Sequence, residues 1–220
     1  MSAPELHLIE IDGTTRAEFI LRGALAAGAV YGIGAVAPFV SEALAQTASD
    51  DVAVLKFALS LEQLESAFYK AGLSRAGLTG DVQKYAKLFG PQEDDHVKAL
   101  SGLLTSLGEK PSAPPKVQFG LTDQASFVKL AVTLEDTGVG AYNGAATAIK
   151  TPEILNALGG IVQVEGRHSA ALRMIAGKDP APAAFDKPLA PAQVGSIVQP
   201  YVQQQPAAGS GSTGSGSAAG

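Results

Sequence analysis

The stretches Glu93-Asp94-Asp95-His96 and Glu165-Gly166-Arg167-His168 each place a histidine three residues after a glutamate. Three residues advance a helix by about 300°, so the glutamate and the histidine lie on one helical face, about one turn apart. A carboxylate and an imidazole on one face form a suitable pair of ligands for a transition metal. The remaining histidine, His7, is not preceded by a glutamate at that distance. The two pairs therefore predict two helices that each contribute two metal ligands.

Two further stretches supply candidate glutamates for the same site. Leu61 to Tyr69 and Leu134 to Tyr142 both read Leu-Glu, then six residues, then Tyr. Seven residues make nearly two helical turns, so each tyrosine projects from the same stripe as its glutamate. Glu62 and Glu135 are therefore candidate ligands, and Tyr69 and Tyr142 are possible neighbours of the site.

The spacing of these residues indicates an internal duplication of a helix pair. Glu62 and Glu93 are 31 residues apart, and Glu135 and Glu165 are 30 apart. The two halves align with an offset of 72 to 73 residues. Glu65 aligns with Gly138 and has no counterpart, so Glu62 is the preferred ligand and Glu65 a possible neighbour.

This pattern resembles the ligand pattern of the ferritin-like superfamily. The phrase Leu61 to Tyr69 resembles exported ferritin-like domain proteins related to plant desiccation-related proteins, and the resemblance covers roughly residues 50–177. It implies an all-α fold, an antiparallel four-helix bundle with a long crossover between helices two and three. It also implies two iron or manganese ions bridged by carboxylates. The expected ligands are Glu62, Glu93, His96, Glu135, Glu165 and His168.

One position departs from the family in each half of the chain. Many members place an aspartate just before the glutamate of each Glu-x-x-His, where it orients a ligand histidine. Here those positions hold Gln92 and Val164. The resemblance therefore predicts a metal site whose histidines are supported differently, which affects reactivity more than metal binding.

Apolar spacing and capping residues predict four helices. Their expected bounds are about Asp51–Ala71, with Gly72 as the stop; Asp81–Leu107; from a Thr122-Asp123 cap to about Lys150; and from Thr151-Pro152 to about Ala176. Gly90-Pro91 predicts a kink or a restart in the second helix, because a mid-helix proline costs about 3 kcal/mol. Residues 108–121, extended at about 3.3 Å each, reach roughly 46 Å and can cross the bundle. We also expect Gly138, Gly140 and Gly144 to permit close helix packing.

Composition limits the functional classes. The chain has 220 residues, 46% of them hydrophobic, a net charge of −5 and no cysteine. We therefore expect a single domain with a substantial hydrophobic core. The absence of cysteine excludes disulfides, thiolate ligands and iron–sulfur clusters. No basic run is present, so nucleic-acid binding is not expected.

The chain divides into three predicted segments. Residues 1–45 are an export signal or an N-terminal helix, 46–177 the bundle, and 178–220 a Pro/Gln-rich extension with a disordered Gly/Ser tail. The stretch Thr15 to Arg22 resembles a twin-arginine signal with Ala17 in place of the second arginine, and a small-x-small cleavage pattern ends at Ala45. We therefore expect export to the periplasm, cell envelope or exterior. Alternatively, the segment stays uncleaved as a membrane anchor or packs on the bundle.

Three functions are compatible with this pattern. The first is an iron or manganese redox enzyme, of ferroxidase or peroxidase type, that acts on oxygen or peroxide in stress protection. The second is a metal-binding or storage protein without turnover. The third is a structural protein of stress or desiccation on the same scaffold. A homo-oligomer is compatible with each, and no catalytic residue beyond the ligands is predicted.

Overall fold

The computed structural model describes residues 51–203, and regular structure in that range is almost entirely helical. The helices are α1 (Asp51–Arg75), α2 (Gly80–Ser106), α3 (Gln124–Ala145), α4 (Pro152–Ile175) and α5 (Pro191–Val198), with 3-10 turns at Ala146–Ala148 and Gln199–Tyr201. Four-residue and six-residue links join α1 to α2 and α3 to α4, so each pair is an antiparallel hairpin. The segment 107–123 crosses between the hairpins. The predicted antiparallel four-helix bundle with a long crossover is confirmed.

The export signal or N-terminal helix and the Gly/Ser tail fall on residues outside this range and stay predictions. Within residues 51–203, no helix combines the length and the apolarity that a membrane span requires.

Helix α1 runs through Gly72, where the sequence predicts its end. A Cβ at this position would lie 2.2 Å from Cε2 of Phe127 on α3. Gly72 is therefore needed for the close approach of the Phe127 ring, and the helix continues to Arg75. The turn that follows uses Gly77 and Gly80, whose positive φ angles of 59° and 57° suit glycine.

Helix α2 is continuous across Gly90-Pro91, so the predicted restart is wrong, whereas the alternative, a kink, stays a prediction. Pro91 and Lys87 are both exposed, so water can reach the Lys87 carbonyl that Pro91 leaves without a donor. Gly90 brings α2 close to α1, since a Cβ there would lie 3.1 Å from the Cβ of Tyr69. Neither residue ends the helix.

The second hairpin begins and ends close to the predicted positions. Asp123 caps α3, accepting a hydrogen bond from the Ser126 amide at 2.8 Å, which confirms the predicted cap. Helix α3 stops at Ala145, shorter than expected, and a 3-10 turn follows. Pro152 occupies the first turn of α4 as predicted.

The chain after α4 packs back onto the bundle. In α5, Val194 and Val198 are at most 1% exposed and join the apolar cluster around Phe68. The Leu189 amide donates to the Gly140 carbonyl of α3 at 2.8 Å. A Cβ at Gly144 would lie 2.0 Å from the Leu189 carbonyl oxygen. Gly140 and Gly144 therefore admit this extended segment rather than another helix, which corrects the sequence prediction.

Two apolar clusters flank the middle of the bundle. One surrounds Phe68 and Phe127, and the other surrounds Leu59 and Leu104. The helix segments between these clusters carry the predicted ligands. The polar site is therefore enclosed by apolar packing at both ends.

Candidate metal centre

The structure brings all six predicted ligand side chains together in the middle of the bundle. Glu62 comes from α1, Glu93 and His96 from α2, Glu135 from α3, and Glu165 and His168 from α4. Five of them are at most 1% exposed, and His96 is 9% exposed. Their ligand atoms form two groups, each within 4.8 Å: Glu62, Glu93, His96 and Glu165; and Glu93, Glu135, Glu165 and His168. Glu93 and Glu165 belong to both groups.

In the first group, three carboxylates surround one ring nitrogen of His96. Its Nδ1 lies 3.2 Å from Glu62 Oε2, 3.1 Å from Glu93 Oε2 and 3.0 Å from Glu165 Oε1. The carboxylate oxygens thus converge where a cation bound to Nδ1 would sit.

The second group repeats this arrangement around His168. Its Nδ1 lies 2.9 Å from Glu93 Oε1, 3.4 Å from Glu135 Oε2 and 4.0 Å from Glu165 Oε2. Each shared glutamate therefore presents one oxygen to each histidine. This is the arrangement that two bridging carboxylates require.

The predicted neighbours Tyr69 and Tyr142 both bond to the site, and each contacts the glutamate of the opposite half. The Tyr69 hydroxyl of α1 donates to Glu135 Oε1 of α3. The Tyr142 hydroxyl of α3 donates to Glu62 Oε1 of α1. Each tyrosine thereby occupies one carboxylate oxygen and leaves Oε2 directed at the histidine.

His168 has an additional hydrogen bond that fixes its tautomer. Its Nε2 lies 2.6 Å from the Gln92 Oε1 of α2. Because an amide oxygen only accepts, Nε2 carries a proton, and Nδ1 is the ring nitrogen that can bind a metal ion. Gln92 stands where many ferritin-like proteins place an aspartate, and the sequence alone identifies it only as a departure from that pattern.

Several buried atoms at this centre have no hydrogen-bond partner among residues 51–203. They are Glu93 Oε1, Glu135 Oε2, both carboxylate oxygens of Glu165, and His168 Nδ1. Buried polar atoms normally find partners, because leaving one unpaired costs about 1–3 kcal/mol. The four ligand carboxylates carry four negative charges when ionised, which two divalent cations would balance. The donor set therefore fits a pair of divalent metal ions.

Comparison with known proteins places the chain in a family. The family model for the ferritin-like domain matches residues 50–178, more than half of the chain. This is a ferritin-like domain protein. The C-terminal segment with α5 lies beyond the matched range. No curated protein sequence matches the chain.

A solved structure shares the fold of this ferritin-like domain. It is the crystal structure of a conserved hypothetical protein, Rv2844, from Mycobacterium tuberculosis. The TM-score is 0.53 at 18% sequence identity, over 61% of this chain and 96% of that chain. At this identity the likeness shows the fold alone.

The ferritin-like centre holds one more carboxyl group, that of Glu65. It is 3% exposed, and its counterpart in the second half is Gly138. A Cβ at Gly138 would lie 3.2 Å from Glu65 Oε1 and 3.7 Å from Glu165 Oε2. The missing side chain at Gly138 therefore makes room for Glu65 beside the shared glutamate.

Burial and crowding alter the acidity of the metal-free centre. Burial raises the pKa of Glu62 to about 7, although a hydrogen bond with His96 opposes the change. Burial and the neighbouring Glu165 hold the pKa of Glu65 well above its usual value. Burial disfavours charge on Glu93, but the close imidazoles of His168 and His96 outweigh it and lower its pKa to about 2.

The pKa values of the two histidines shift in the direction opposite to the effect of burial. Burial favours their neutral form, yet the surrounding carboxylates raise the pKa of His96 to about 12 and that of His168 to about 9. Without metal, both imidazoles are therefore in their charged, doubly protonated form at neutral pH. A metal ion must displace those protons, so metal binding releases protons and strengthens as pH rises.

The metal-free protein is expected to lose stability as pH rises from 5 to 9. The pKa of Glu62 rises from 4.5 to about 7 on folding, and that of His168 from 6.5 to about 9. In this interval the folded state binds more protons than the unfolded chain, so stability falls with pH. Thermal melting of chelator-treated protein at pH 5, 7 and 9 measures the loss, at about 2–4 °C for each kcal/mol.

The control for this experiment is the same protein loaded with Mn²⁺, whose melting temperature should exceed that of the metal-free form most at pH 9. A melting temperature of the metal-free protein that rises from pH 5 to 9 would contradict the prediction.

Proposed function

We propose that this protein holds two iron or manganese ions at the centre and uses them to consume oxygen or peroxide, in protection against oxidative stress. The observation that carries the proposal is the pair of ligand groups that share Glu93 and Glu165. A shared pair of carboxylates suits two ions side by side, rather than two separate sites.

The donor types favour iron or manganese. Each group offers three carboxylates and one imidazole, a hard, oxygen-rich set without thiolate. Such ions, when bound, supply the electrons for reduction of oxygen or peroxide. Ferritin-like membership supports this interpretation, because dinuclear proteins of this fold build their metal site from glutamates and histidines in the bundle core.

Burial limits the size of the substrate. The only ligand residue more than 1% exposed is His96, at 9%. Apolar side chains close the bundle on either side of the centre. The geometry therefore favours a small oxidant, such as oxygen or hydrogen peroxide, over an organic substrate.

The chain's own residues hold the centre in a fixed geometry. The hydroxyls of Tyr69 and Tyr142 orient Glu135 and Glu62, and their pKa values are raised well above the usual one by burial and by these glutamates. Both tyrosines therefore stay protonated and act as donors. Because the ligand set is preorganised, its side chains need little rearrangement when ions bind.

Oxygen or peroxide consumption tests the proposal. Metal-free protein loaded anaerobically with two equivalents of Fe(II) is expected to consume oxygen or hydrogen peroxide faster than the same Fe(II) in buffer. Protein loaded with Zn²⁺, which has no redox chemistry, is the matched control and should consume neither.

The outcome of this experiment distinguishes the proposed enzyme from the two alternative functions. Two bound ions without consumption would replace the proposed enzyme with a metal-binding or storage protein. Failure to bind any metal would leave the structural scaffold.

A further inference from the structure

The two halves of the bundle keep the same ligands but surround them differently. An offset of 72 residues relates His96 to His168, and the same offset relates Gln92 to position 164 and Phe89 to position 161. Around His168, Gln92 accepts a hydrogen bond from Nε2 at 2.6 Å, and Phe89 stacks on the ring with centroids 4.0 Å apart. The equivalent positions hold Val164 and Ile161, which can neither accept a hydrogen bond nor stack.

His96 lacks this support. Among residues 51–203, the hydrogen bonds of its ring involve only Nδ1, and no protein atom bonds to Nε2. Its side chain is 11% exposed, whereas that of His168 is 1% exposed. Within residues 51–203, His96 is therefore the most solvent-accessible of the six ligands.

This difference bears directly on metal affinity. A hydrogen bond at the outer nitrogen fixes the tautomer and the orientation of a ligand histidine and increases its basicity. Loss of such a partner typically costs about 10- to 100-fold in metal affinity. The imidazole of His168 is oriented by such a hydrogen bond, and that of His96 is not.

We propose that Gln92 is a positioning residue that makes the metal position at His168 the tighter of two unequal positions. The position at His96 is then the one where metal exchanges with solvent. This inference rests on the proposed dinuclear centre. It assigns the two positions separate tasks: one retains its ion, and the other admits and releases ions.

Titration of metal-free protein with Co²⁺, followed by its visible absorption bands, tests the inference without any turnover. The wild type is expected to bind two ions in steps whose Kd values differ by about 10-fold or more. His96→Ala should remove the weak step and keep the tight one, and His168→Ala should remove the tight step.

Gln92→Val copies the second half of the chain and should weaken the tight step by about 10- to 100-fold. Gln92→Glu keeps an oxygen acceptor at this position and should restore the tight step, which a merely structural role of Gln92 would not predict. Gln163→Val, an equal change at an exposed position of α4, is the matched control and should leave both steps unchanged.

The result identifies which idea fails. No Co²⁺ binding by the wild type would overturn the dinuclear centre itself. Two ions bound with equal Kd, or a tight step that survives in Gln92→Val, would overturn only the inequality of the positions. Loss of the tight step in both Gln92→Val and Gln92→Glu would show that the hydrogen-bond acceptor is not what matters.

Discussion

Replacement of either shared glutamate by alanine, Glu93→Ala or Glu165→Ala, is expected to reduce the metal content from about two ions per chain to nearly none. Each of these side chains presents one oxygen to the His96 group and one to the His168 group. Its loss removes a ligand from both positions at once. It also removes a negative charge that would offset the repulsion between two neighbouring cations.

The terminal glutamates should give a different result. Glu62 belongs only to the His96 group and Glu135 only to the His168 group. Glu62→Ala and Glu135→Ala are therefore expected to retain about one ion per chain. Elemental analysis after metal loading and gel filtration measures the difference, and circular dichroism shows whether each variant is folded.

Asp95→Ala is the control for these variants. Asp95 lies on α2 beside the ligands, but its side chain is 72% exposed and forms an ion pair with Lys98. This variant should keep both ions. Equal metal loss in the shared and the terminal variants would contradict the bridging geometry, and full metal content in Glu93→Ala would contradict the centre.

Gly144→Ala is expected to destabilise the protein by about 2 kcal/mol or more. A Cβ at this position would lie 2.0 Å from the carbonyl oxygen of Leu189 and 2.9 Å from its carbonyl carbon. Both are backbone atoms, which cannot swing aside as a side chain can. The segment must shift, and the Leu189 hydrogen bond to Gly140 weakens with it.

The substitution Gly160→Ala should have the opposite effect on stability. Gly160 is an exposed residue of α4, and a Cβ at this position would meet no packing neighbour within 4 Å among residues 51–203. Alanine there should stabilise the helix by about 0.5–1 kcal/mol. Urea denaturation of the two variants compares them directly, and equal stabilities would contradict the close contact at Leu189.

The site was more predictable from sequence than the packing around it. Helical periodicity alone places Glu93 beside His96 and Glu165 beside His168, because the ligands depend on spacing along each helix. The internal repeat then singled out Glu62 over Glu65. The crossed tyrosine bonds could not be predicted beyond proximity to the site, since sequence does not show which helix each hydroxyl faces.

Contacts between distant segments explain the predictions that were wrong. A glycine at position 72 is typical of a helix C-terminus, but in the structure Gly72 makes room for the ring of Phe127, 55 residues later. Gly140 and Gly144 suit helix packing equally well until Leu189 is known to cover them. The short α5 has too few residues for a clear apolar period, so Val194 and Val198 gave no sequence signal of their burial.

The crossed bonds of Tyr69 with Glu135 and of Tyr142 with Glu62 relate the two halves of the chain by an approximate twofold symmetry. A residue on one half contacts a residue on the other, and the equivalent contact is returned, as in an isologous dimer. Two identical helical hairpins, associated face to face about a twofold axis, would make the same pair of contacts. The two halves of the present chain are related as two such hairpins would be, and Glu65 opposite Gly138 departs from that symmetry.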